Sequence, residues 1–168
     1  INYRSFKAKL GHHANINVAG MSNPLFAKRP IPDVLNIIFD YGYRTIVSLE
    51  KKGSQEIKNY WLNNDSCSHY SILIEDRQPF KLSDYLETFQ ILEKSFLSEQ
   101  SIVFHCMAGI GRTGCALASI LLLCYMDELY IKDSNIFNRY SNKQFISTIF
   151  DSDTHQEIKT SKVLADVV

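Results

Sequence analysis

The sequence predicts an α/β fold, a central and mostly parallel sheet flanked by helices, and three observations lead there. First, three short runs are apolar and β-branched: "RTIVSLE" at 44–50, "HYSILIE" at 69–75 and "SIVFHC" at 101–106. Near-continuous apolar runs of this length suit strands buried on both faces, as in parallel sheets. Second, the segments between them repeat apolar residues at helical spacing, and strands alternating with helices make βαβ units. Third, a glycine-bearing turn follows the last run and opens into a long apolar stretch, as where a strand feeds a helix.

Taken in order, Ile16–Ala19 is short and apolar and predicts an edge strand. Pro30 and Pro32 precede "DVLNIIFDYG", which sets Val34, Leu35, Ile37, Ile38 and Tyr41 at helical spacing and stops at Gly42. The strand "RTIVSLE" follows, and "HYSILIE" ends in the loop "EDRQPFK". Ser83 then caps a helix carrying Tyr85, Leu86, Phe89, Leu92, Phe96 and Leu97 on one face. After "SIVFHC", the stretch "RTGCALASILLLCYM" predicts a long helix whose cysteines, Cys115 and Cys124, belong to the core. Further helices are expected after Asp133. With no repeat, low-complexity tract or Pro/Gly/Ser linker, residues 1–168 are expected to form a single domain.

Composition narrows the function classes. Eighteen basic and eighteen acidic side chains cancel, so no global field draws the chain to nucleic acid or acidic membranes. Four cysteines without C-x-x-C spacing argue against a zinc site or a disulfide scaffold and for a reduced, cytoplasmic setting. The chain opens at Ile1 with neither Met nor an apolar signal segment, consistent with removal of any targeting information. The longest apolar stretch, Cys115–Met126, is about half a membrane span, so no spanning helix is expected.

The chemistry concentrates in "HCMAGIGRTG", residues 105–114. Gly109 and Gly111 let successive N–H groups turn inward as an anion nest, and a helix starting near Arg112 adds its positive end. Arg112 brings a planar fork that binds two phosphate oxygens at once. No G-x-x-x-x-G-K-[ST] pattern is present, so this is not a nucleotide P-loop. At the strand end stands Cys106 instead, where the positive surroundings favour thiolate over thiol. A thiolate beneath a bound phosphoryl group is aligned for in-line attack.

Cys106, five residues, Arg112 and Thr113, with His105 in front, form a C-x5-R-[ST] signature. The chain thereby resembles the cysteine-dependent protein phosphatases and is most similar to the small atypical dual-specificity phosphatases. "AGMSNP", "YGYRTIVSLE", an acidic loop and "FHCMAGIGRTG" follow their order, over roughly residues 14 to 160. The resemblance implies a tyrosine/dual-specificity phosphatase-like fold and removal of phosphate from phosphotyrosine and phosphoserine/threonine through a phosphocysteine. It implies a general acid about thirty residues before the nucleophile. Asp76 occupies that place, and strand alternation from Ile72 and Ile74 turns its neighbour Glu75 to the other side. It further implies that Thr113 assists thiolate departure and that His105 orders the loop. Gln156 is a weak match to a water-positioning glutamine. Met107, Ala108, Gly109, Ile110, Gly111 and Arg112 would hold the substrate.

The expected partner is a phosphorylated protein. No metal, cofactor or nucleic acid is implied, and the domain is read as a monomer. Met107, Ala108 and Ile110 stand where phosphoinositide phosphatases of the superfamily often carry lysines, although Lys81 or Arg77 could substitute. The alternatives are a phosphoinositide or RNA 5′-phosphate phosphatase, or a catalytically silent phospho-binding module. A low-barrier target for oxidation would be Cys106 itself, with Cys67 as a resolving partner if the fold brings it near.

Overall fold

The computed structural model describes residues 3–132, with side chains through Glu128. The chain divides at Glu128 into two units, and the first carries the fold that follows. The helices expected after Asp133, and Gln156 with them, lie outside the described residues.

Five strands form one sheet in the order β1-β2-β5-β3-β4. They are β1 (Tyr3–Ala8), β2 (Ile16–Ser22), β3 (Tyr43–Ser48), β4 (Ser68–Ser71) and β5 (Ser101–Cys106). All pairings are parallel except β1 with β2, which makes the sheet mostly parallel as the sequence predicts. Helices α1 (Ile31–Asp40), α2 (Ser54–Trp61), α3 (Leu82–Leu97) and α4 (Gly111–Lys132) flank it. Two elements escaped the sequence patterns. Strand β1 is a polar edge with one fully buried residue, Ala8, so Ile16–Ala19 is an inner strand and not the edge. Helix α2 turns only Ser54, Ile57 and Trp61 inward, too few to raise an apolar periodicity.

Period-2 alternation divides the core between the two faces. Val18, Val47 and Phe104 face Ile91, Leu92 and Phe96 of α3 and Ala116, Leu117 and Ile120 of α4. Ala19, Ile46 and Val103 face Val34, Leu35 and Ile38 of α1 and Ile57 and Trp61 of α2. Each such aliphatic side chain removed from water contributes about 1.5–3 kcal/mol before its ordering cost. The Trp61 indole N–H donates to Arg44 O and Ser68 O, 3.2 and 3.1 Å away, and so docks α2 across β3 and β4.

Several local expectations shift. Ile37 in α1 and Tyr41 just after it are exposed, because a helix against a sheet covers only one stripe. Helix α3 begins at Leu82, one residue before Ser83. Its cap is the Asp84 carboxylate, which accepts the Lys81 N–H at 2.8 Å. On that helix Leu86 and Leu97 are exposed, while Thr88, Ile91 and Ser95 are buried. The apolar character of α4 hides a similar asymmetry. Leu121, Leu122 and Tyr125 face outward, Cys115 is exposed, and Cys124 is half-buried. Cys115 is therefore not a core cysteine; it lies off the stripe formed by Ala116, Leu117 and Ile120.

Candidate active site

Strand β5 lies between β2 and β3, so its carboxyl end opens at the point where the strand order reverses, the usual crevice of an open α/β sheet. Cys106 ends β5 and is nearly fully buried. The loop Met107–Ile110 follows, and α4 starts with the Gly114 N–H donating to Ile110 O at 2.8 Å. The N–H groups of Gly111, Arg112 and Thr113 precede that first bond and have no acceptor within the helix. They form the positive end of a 22-residue helix directed at the loop.

Backbone contacts fix the loop's shape. Gly109 has φ +71°, and a Cβ there would lie 2.5 Å from Met21 C and Ser22 N; only glycine lets the loop rest on the end of β2. Gly20 acts at the next level down. A Cβ at Gly20 would meet Thr113 Cγ2 at 2.5 Å and Leu117 Cδ1 at 2.6 Å, so its absence lets α4 settle against β2 and buries Thr113 completely. The Thr113 hydroxyl oxygen has no hydrogen-bond partner among the described residues.

The Arg112 side chain, 10% exposed, is held from several directions. Its Nη1 donates to Ile74 O at 2.8 Å and Leu49 O at 3.4 Å. Its Nη2 lies 3.6 Å from Glu50 Oε2 and 3.3 Å from Asp76 Oδ1. Glu50 is buried and accepts from Asn23 Nδ2 at 2.6 Å. A buried carboxylate needs both a cation and hydrogen bonds to offset desolvation, and Arg112 and Asn23 supply them. Asp76 differs: it is 66% exposed, and Arg77 lies 4.0 Å away. Strand β4 ends at Ser71, yet the alternation continues past it, with Ile72 and Ile74 buried around an exposed Leu73. Asp76 reaches Arg112, but Glu75 is not turned to the other side as the alternation predicts: both carboxylates border the same cleft, because they lie beyond the end of β4.

These residues border an open cleft of about 430 Å³. The lining is Glu50, Lys51 and Lys52 from the loop after β3, Leu73, Ile74, Glu75 and Asp76 from the segment after β4, and Met107 and Arg112. Of the residues singled out in the sequence, Asp76, Met107 and Arg112 share this cleft. Ala108, Ile110 and Gly111 are exposed on the loop beside it, Gly109 is half-buried there, and Cys106 lies buried at the loop's root.

His105 points to the opposite face of β5 from Cys106 and is buried beneath the loop. Its Nε2 lies 2.7 Å from Ser48 Oγ, and the same hydroxyl lies 2.9 Å from His69 Nε2. One serine proton cannot be donated to both rings, so at least one imidazole donates to Ser48 Oγ. His105 Nδ1 has no partner among the described residues. Burial pushes the His105 pKa down to about 3, with His69 and Arg112 adding repulsion. Burial also lowers His69 to about 4, with Lys58 contributing. Both rings are uncharged near neutral pH.

Sequence reading missed Asn23, Ser48, Glu50, Lys51, Lys52 and His69. A usable signal existed for one of them: a glutamate ending the buried run "RTIVSLE" calls for a cation and points to Arg112. The structure also separates Cys67 from Cys106. Cys67 precedes β4 at the amino-terminal edge of the parallel strands, level with Ser101, while Cys106 lies at the carboxyl edge. Five residues of parallel strand span about 17 Å, far beyond the Cα separation of about 7 Å a disulfide permits. Cys67 packs with the α1/α2 core cluster, and burial raises its thiol pKa. It is no resolving partner in this fold.

Comparison with known proteins places this geometry. Over 83 residues, 48% of its length, the chain is 30% identical to human receptor-type tyrosine-protein phosphatase R, yet it covers only 11% of that protein. The crystal structure of kinase associated phosphatase, solved with its catalytic-site cysteine replaced by serine, superposes with a TM-score of 0.53 at 11% identity. That match covers 71% of this chain and 74% of the other and shows a shared fold. The PTP-2 phosphatase of Cydia pomonella is similar at 17% identity and a TM-score of 0.47, covering 66% and 65% of the two chains. Residues 19–125 match the family model Tc-R-P, "Polymorphic toxin system, DSP-PTPase phosphatase". With Cys106, the loop after it, Arg112 and more than half of the chain inside that match, the protein belongs to the DSP-PTPase phosphatase family of polymorphic toxin systems.

Proposed function

We propose that the domain hydrolyses phosphomonoesters on proteins, phosphotyrosine and phosphoserine/threonine alike, through a phosphocysteine on Cys106. The observation that carries this reading is the convergence of three groups at one sheet edge: Cys106 under the loop, Arg112 in the cleft, and Asp76 3.3 Å from Arg112. A phosphate entering the loop meets the free N–H groups at the start of α4 and competes with Asp76 for Arg112. Displaced, Asp76 is left over the leaving oxygen.

The Cys106 thiolate then attacks phosphorus; the S–P bond forms, the P–O bond to the alcohol or phenol breaks, and Asp76 donates its proton to the departing oxygen. In the second half water attacks phosphorus, Asp76 takes its proton, and the S–P bond breaks to release phosphate and thiolate. The unpartnered Thr113 hydroxyl is available to donate to the sulfur as it leaves. Arg112 and the helix start meet the transferring charge, so no metal is required. His105 and Ser48 hold the floor of the loop. The reaction needs a reduced thiol, which favours a reducing compartment; none of the four cysteines is paired.

Hydrolysis of a small aryl phosphate tests the reading. Cys106→Ser should abolish turnover, and Asp76→Asn should lower kcat by about 10²–10⁴. Retained hydrolysis in Cys106→Ser would remove the nucleophile from the mechanism. Phosphate binding by wild-type protein without turnover would make the domain a phospho-binding module.

A further inference from the structure

We propose that Lys51 and Lys52 form a second anion-binding wall that selects phosphopeptides with an acidic residue beside the phosphorylated one; this rests on the phosphatase reading above. The nucleophile loop contributes no lysine of its own. The structure supplies two from the loop between β3 and α2, on the same cleft as Arg112.

The charges of that cleft are unevenly engaged. Arg112 is shared between Glu50 and Asp76, and Glu50 is also bound to Asn23. No ion pair among the described residues joins Lys51 or Lys52 to a carboxylate. Lys52 Nζ instead lies 5.0 Å from the centroid of the exposed Phe26 ring, an arrangement that holds an ammonium without neutralising it.

The wall also stands at a fixed offset from the nucleophile loop, because one residue ties the two together. The Asn23 N–H donates to Met107 O at 3.2 Å, while Asn23 Nδ2 donates to Lys52 O at 2.9 Å and to Glu50. The Ser54 N–H donates to Lys51 O at 3.2 Å. The backbone that carries the two lysines is therefore held at a set position relative to the loop after Cys106, with the ammonium groups free to meet an anion nearby.

The remaining surface favours a peptide over an inositol polyphosphate. Leu73, Met107 and Ile110 are exposed apolar contacts around the opening, suited to aliphatic parts of a chain. Glu75 and Asp76 line the same cleft as the lysines, so a head group carrying phosphates all round would meet carboxylates. A peptide can carry its negative charge on one side only.

The test compares matched phosphotyrosyl peptides flanked by Asp, Ala or Lys, read as ratios of kcat/KM so that any general loss cancels. Wild type should prefer the acidic peptide about tenfold over the neutral one at low salt, with the gap closing as salt rises. In Lys51→Ala/Lys52→Ala the ratio should fall to about twofold or less. In Lys51→Glu/Lys52→Glu it should reverse in favour of the Lys-flanked peptide. An acidic preference that survives both variants, or a soluble inositol polyphosphate outcompeting every peptide, overturns the proposal. Kd ratios on Cys106→Ser protein must show the same order. Their failure refutes the wall even without turnover, whereas the phosphatase reading fails separately, on the aryl phosphate.

Discussion

Two cavities of nearly equal size, about 430 and 410 Å³, lie on this unit, and they are built in opposite ways. The cleft beside the loop after Cys106 is bordered by six charged residues from three segments: the loop after β3, the loop after β4 and the start of α4. The second cavity lies between α1 and the sheet, walled by Val34, Ile38, Met21 and Val103, with Arg29 its one charged lining residue. Two of its three tyrosine hydroxyls, those of Tyr3 and Tyr43, bond each other at 2.7 Å, and burial chiefly raises the pKa of Tyr43. Equal volume thus accompanies unequal chemistry. The cleft stands where parallel strands end and their loops converge, while the cavity is a gap between a helix and an edge hairpin.

Breaking the cleft should cost far more than altering the cavity. Gly109→Ala puts a Cβ 2.5 Å from Met21 C at a φ of +71°, so the loop must move. A loss of at least about 100-fold in kcat/KM is expected, measured on protein whose far-UV spectrum shows it folded. Unchanged activity would mean that the loop does not hold the transferring group.

A smaller effect is expected from the two imidazoles under the cleft. Both are neutral when folded, with pKa values near 3 and 4 against 6.5 ordinarily. The unfolded chain binds more protons between these values, so their contribution is present above about pH 6.5 and is lost as pH falls toward 4. Urea midpoints should decline across that window, and His69→Gln, which removes one titrating ring, should flatten the decline. An identical slope in the variant would show that His69 is not held neutral.

The smallest change should come from the apolar cavity. Val34→Leu adds one methylene there and should alter stability by less than about 1.5 kcal/mol, with kcat/KM within about twofold. A larger kinetic effect would mean that the cavity reaches the loop after Cys106 through Met21, whose backbone lies against Gly109.

Much of the fold was legible because burial on both faces leaves a simple mark. β3 and β5 are continuous apolar runs, and α1 repeats its buried residues at helical spacing. Polar, half-exposed elements leave no such mark, and β1 and α2 went unseen for that reason. Helix α4 shows the converse: its uniform apolarity hid which stripe meets the sheet, and Cys115 was misassigned to the core.

The sequence by itself determined the arrangement that is local along the chain. Cys106, the glycine that permits a left-handed turn at 109, and Arg112 all lie within one strand–loop–helix unit, so their spacing carries their geometry. Only the tertiary structure decided what arrives from other strands. Glu50 and Asn23 reach Arg112 because β2, β3 and β5 end side by side; Ser48 joins two histidines because β3 separates β4 from β5; Lys51 and Lys52 share the cleft because Asn23 ties their loop to Met107. Such contacts depend on strand order and register, which follow from the packing of the whole sheet and from no local spacing.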